Sequence, residues 1–102
     1  MGIDIQWEDE RGELLDRISD DGDLVGQILA AARTEDSACL RFVDRYGDTV
    51  FNQPQIPVLV AELEAVPDDN LNSDARTHRQ KIVGLATRAR SKVHTYLKFY
   101  GD

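Results

Sequence analysis

Ile3, Ile5 and Trp7 alternate with Asp4, Gln6 and Glu8, a period of two that predicts a strand with one buried face. Asp9-Glu10-Arg11-Gly12 reads as a turn, Gly12 being free to take positive φ. Residues 13–18 fit either the returning strand of a hairpin or a short helix burying Leu14, Leu15 and Ile18. The hairpin is preferred, because Gly12 makes a poor helix start. After a polar break at 19–23, Leu24, Ile28 and Leu29 followed by 30–32 predict one short helix. Residues 38–43 alternate again, with Leu40 and Phe42 on one side and Cys39, Arg41 and Val43 on the other. They read as a strand that turns at 44–47 and pairs with Thr49, Val50 and Phe51.

The period then changes. Ile56, Leu59, Val60, Leu63 and Val66 recur at spacings of three and four, the mark of an amphipathic helix. Asn52 or Gln53 can cap it, Pro54 suits its first turn, and Pro67 ends it. Ser73 or Asp74 is a natural cap for a last helix running from Ala75 to about Val93, which buries Ile82, Leu85, Ala86 and Ala89. Its charged side chains Arg76, Arg79, Lys81, Arg88, Arg90 and Lys92 flank the apolar stripe. Residues 94–100 close the chain as a strand, with Leu97 and Phe99 inward and Tyr96, Lys98 and Tyr100 outward. The predicted fold is α+β in two layers, a mainly antiparallel sheet of about four or five strands with two or three helices on one face.

Length bounds this to a single domain spanning residues 1–102. Net charge changes the picture more. Of the overall −7, the whole excess lies in residues 1–24, which hold nine acids against two bases. Such a surface repels phosphate backbones and attracts a basic protein. The start Met1-Gly2-Ile3-Asp4 lacks the basic residues and apolar run of a signal peptide, and no apolar run approaches a bilayer span. The expectation is a cytoplasmic protein without membrane contact, with self-association left open.

Candidate chemistry is sparse. Cys39 stands alone, so a disulfide framework and a multi-cysteine zinc site are both excluded, and a lone Cys in an apolar stretch is ordinarily a small hydrophobe. His78 and His94 fall on different elements. Asp68, Asn70 and Asn72 imitate the start of a calcium loop, but the frame then puts Ser73 at the required glycine and Arg79 at the required glutamate. No serine sits in a nucleophile elbow, and no glycine run forms a phosphate loop. No cofactor, metal or catalytic residue is expected.

Two features remain as candidates for partner binding. Glu8, Arg41, Tyr96, Lys98 and Tyr100, together with Gln6, are expected to share the exposed face of the sheet, and Tyr and Arg favour interface centres. Asp20, Asp21 and Asp23 are expected to form a hydrated acidic turn that steers a basic partner. The competing reading is a small-molecule binder or minor enzyme with a pocket between sheet and helices.

The segments Arg41-Phe42-Val43-Asp44-Arg45-Tyr46-Gly47-Asp48-Thr49-Val50-Phe51-Asn52 and Tyr96-Leu97-Lys98-Phe99-Tyr100-Gly101-Asp102 resemble a group of short bacterial proteins. That resemblance implies a hairpin leading into a helix and a terminal strand ending in Gly-Asp, and it points to no particular activity. In size and charge alone the chain is also similar to small acidic immunity or antitoxin proteins that cap a partner. This second likeness implies an inhibitor of a basic protein and names no site residue.

Overall fold

A computed structural model describes residues 2–101; Met1, and Asp102 of the terminal Gly-Asp, lie outside the described residues. The strands are β1 (Asp4–Asp9), β2 (Leu14–Ile18), β3 (Asp48–Phe51) and β4 (Thr95–Tyr100). The helices are α1 (Leu24–Ala31), α2 (Ile56–Glu64) and α3 (Ser73–Arg90). The four strands form one antiparallel sheet in the order β2-β1-β4-β3. The expected α+β class holds, with three helices packed against one face.

The β1–β2 hairpin forms as its alternation predicts. Gly12 takes φ 83°, and the Asp9 carboxylate accepts the backbone N–H groups of Arg11 and Glu13, which closes the turn. A bulge opposite Trp7 and Glu8 leaves Leu15 as the extra residue of β2. Inward positions Ile5, Trp7, Leu97, Phe99 and Phe51 meet Leu59, Leu63, Ile82, Leu85 and Ala86 from the helices in one buried core. Phe51 and Phe99 contact edge to face at 5.4 Å, a geometry worth about 1 kcal/mol beyond area burial.

Several expectations fail for identifiable reasons. Residues 38–43 are no strand: the segment makes a 3₁₀ turn at Leu40–Phe42, and β3 pairs instead with β4. The Glu62 carboxylate on α2 accepts the N–H groups of Ala38, Cys39 and Leu40, which satisfies the amides that a sheet ladder would otherwise need. Arg41 therefore lies off the sheet, stacked on the Phe42 ring at 4.7 Å. Helix α2 is led in by a capping box of Asn52 and Gln55, as expected at Asn52. For α3 the cap is Asn72 in place of Ser73 or Asp74, its side chain accepting from the Ala75 N–H at 2.8 Å. The terminal strand begins at Thr95, because His94 takes φ 60° to turn the chain out of α3. Arg79, read as a flanking charge, is buried; its guanidinium donates to the Val66 carbonyl and pairs with Asp68.

Asp20 departs furthest from expectation. Far from a hydrated turn, it is 5% exposed. Its carboxylate accepts the N–H of Ile3 at 3.0 Å, of Leu24 at 2.6 Å and of Val25 at 3.2 Å. One side chain thus caps α1 and ties it to the start of β1. The nominal cap, Asp23, sits at φ 52° and makes no such bond. Asp20→Ala leaves those donors unpaired, and we expect a loss of about 3 kcal/mol of stability. Asp21→Ala, at an exposed neighbour, should change stability by less than about 0.5 kcal/mol. Urea unfolding followed by the fluorescence of Trp7, the sole tryptophan, reads both. Equal midpoints for the two variants would show that the carboxylate does not hold the fold.

Candidate functional site

With the helices on one face, no element among the described residues lies over the other face of the sheet, and the register arranges its side chains in three rows. Leu14, Glu8 and Tyr96 form the first, and Arg17, Gln6, Lys98 and Val50 the second. Asp4, Tyr100 and Asp48 form the third. The sequence-predicted residues Glu8, Tyr96, Lys98 and Tyr100 are thereby brought together; Arg41 is not among them.

The centre of this face is a network. Lys98 Nζ lies 3.0 Å from Glu8 Oε1, and the Tyr100 hydroxyl donates to Glu8 Oε2 at 2.6 Å. Tyr100 sits a full two rows from Glu8, so its side chain must extend along the face of the sheet to reach the carboxylate. Glu8 is consequently buried at 4% exposure, where an open position was expected. A buried carboxylate is tolerated when its oxygens are paired and hydrogen-bonded. Burial, then the hydrogen bond to Glu8 and that group's charge, push the Tyr100 hydroxyl up to about 12. The network fixes three long side chains on this face.

Apolar surface surrounds this centre. Val50 is 50% and Leu14 49% exposed at opposite edges. The third row adds the carboxylates of Asp4 and Asp48. Asp4 Oδ1 accepts the Asp20 N–H, so the 20–23 turn adjoins that acidic end. Within the turn Asp20 is buried, Asp21 is exposed, and Asp23 faces Arg45 at 4.0 Å. Asp21 and Asp23 thus stay on the surface as expected, while Asp20 leaves the candidate set.

A second concavity lies at the far end of the helical layer. A groove of about 410 Å³ runs between the C-terminal ends of α1 and α2, lined by Ala31, Ala32, Leu40, Ala65, Val66 and Pro67, with Arg33, Asp36 and Glu62 among its polar residues. Sequence reasoning missed it, since Glu62 gives no sign of the loop it holds 22 to 24 residues away. Cys39 is buried beside it, and burial followed by the Glu62 charge raises its thiol, as befits a small hydrophobe. His78, on α3, is buried with its affinity for a proton lowered mainly by that burial, while His94 is exposed. Among the described residues no three His, Cys, Asp or Glu side chains converge as metal ligands, and no helix is long and apolar enough to cross a membrane.

Comparison with known protein families, with curated proteins and with solved structures finds no match to this chain. The geometry of the chain itself is therefore what bears on its function.

The raised Tyr100 hydroxyl has a stability consequence of definite sign. A phenol held above its unfolded value near 10 contributes fully below that pH, and its contribution disappears as pH rises to about 12. Tyr100→Phe should cost about 1–2 kcal/mol at pH 8. The gap between the two proteins should narrow between about pH 10 and about pH 12, as read by urea midpoints at each pH. A gap that stays constant across that window would contradict the Tyr100–Glu8 hydrogen bond.

Proposed function

We propose that the chain is a non-catalytic protein-binding module that docks a basic partner on the open face of its sheet, as a small immunity- or antitoxin-like inhibitor would. The observation that carries this reading is the Glu8–Lys98–Tyr100 network at the centre of an uncovered face, with Tyr96 beside it and an acidic row at one end. A surface already held in place loses little side-chain entropy on binding. Tyrosines supply contact area with polar tips, and exposed Val50 and Leu14 add apolar area around them. Asp4, Asp48 and the neighbouring Asp21 favour a positively charged partner and disfavour nucleic acid.

The competing reading places a ligand between sheet and helices. That space is filled by Ile5, Phe51, Leu97 and Phe99 against Leu59, Ile82 and Ala86, which supports docking on the outside instead. The proposed setting is the cytoplasm, in keeping with one buried, unpaired thiol.

The test is capture of tagged protein from lysate of its own organism, washed at low and high salt and compared with Tyr96→Ala/Val50→Ala. The expected result is one stoichiometric basic partner that leaves at high salt and binds the variant at least about tenfold more weakly, the variant remaining folded by circular dichroism. A partner retained equally by the variant would remove the sheet face, and an acidic partner would remove the charge argument.

A further inference from the structure

The groove between α1 and α2 is independent of the sheet face and has a chemistry of its own. Its apolar floor comes from Leu40 and Val66, both buried, with Ala31, Ala32, Ala65 and Pro67 around them. Its volume of about 410 Å³ falls within the span of small-ligand sites.

The charge of the groove has a direction. Glu62 Oε1 accepts from Cys39 and Leu40, each at 3.0 Å, and Oε2 accepts from Ala38 at 2.5 Å and shares the same Cys39 N–H at 3.4 Å. Glu62 forms no ion pair with a cation among the described residues. Asp36 adds a second carboxylate at the exposed side. Both helices end here with no basic residue in the last turn, and each C-terminus carries about half a negative charge. Opposing these is Arg33, exposed at the rim; Arg79, which reaches the Val66 carbonyl from below, is already paired with Asp68. The balance is close to −2.

We propose that this groove is a binding site for a small aliphatic organic cation, an ammonium or guanidinium group on a short alkyl stem. The stem lies over Leu40 and Val66, and the cationic head sits against the Glu62 and Asp36 carboxylates, neither of which is ion-paired among the described residues. An anionic ligand anchored by Arg33 would have to bring its charge beside Glu62, Asp36 and two helix C-termini, which disfavours it.

The test is an amide NMR titration of the full chain with n-butylguanidinium and n-butylammonium, against pentanoate and pentanol. The two cations should give saturable shifts in the millimolar range at Ala38, Cys39 and Leu40, whose N–H groups share the Glu62 carboxylate. Glu62→Gln weakens the loop as well as the site, so three exposed positions carry the comparison. Asp36→Asn should weaken binding about threefold and Arg33→Gln should tighten it by a similar factor. Ala65→Leu, which fills the groove, should weaken binding at least about tenfold. Equal or stronger binding of pentanoate or pentanol, or cation binding untouched by Ala65→Leu, would overturn the proposal, as would the lack of any saturable shift.

Discussion

The central pairing of β1 with β4 is the constraint on which the rest of this structure depends. These strands come from opposite ends of the chain and lie side by side from Asp4↔Tyr100 to Asp9↔Thr95. Apart from β2 and β3, which flank the pair, the chain between them has to leave the sheet and return. It does so over one face, because Ile5, Trp7, Leu97 and Phe99 all point that way and need apolar cover. The other face is left open as a direct consequence. The pairing also sets Glu8, Lys98 and Tyr100 within reach of one another, which no single segment could do.

Three carboxylates carry tertiary work that hydrophobic contact alone would leave unspecified. Asp20 joins α1 to the entry of β1, Glu62 holds the irregular 38–40 segment against α2, and Glu8 orders the open face. In each case a buried or half-buried acid is satisfied by several donors at once, the condition under which such burial is tolerated. Part of the chain's acidity is therefore internal structure, and only the remainder is available to a partner.

Much of this was legible in the sequence where local periodicity decides the outcome. The alternation at 3–8, Gly12 in the turn and the three-four spacing of α2 led directly to the hairpin and helix found. The inward and outward assignment of β4 also stands, and with it the neighbourhood of Tyr96, Lys98 and Tyr100. Residues 38–43 mislead because alternation also arises in turns, and the carboxylate that holds them lies more than twenty residues downstream. Asp20 stands in a run of polar residues that resembles any solvated loop; nothing nearby announces Ile3 as its partner. Arg79 is different. It falls on the stripe formed by Ala75, Ile82, Ala86 and Ala89, so its burial could have been read from its phase despite its charge.

The open, prearranged sheet face is proposed to dock a basic protein, with the other face packing the core against the helices. NMR cross-saturation from the captured partner onto this chain tests that claim most directly. Docking on the sheet face should give the strongest transfer at Tyr96, Val50 and Leu14, fading toward α2 and α3. Transfer centred on the outer surface of α3, with Tyr96 and Val50 silent, would contradict it.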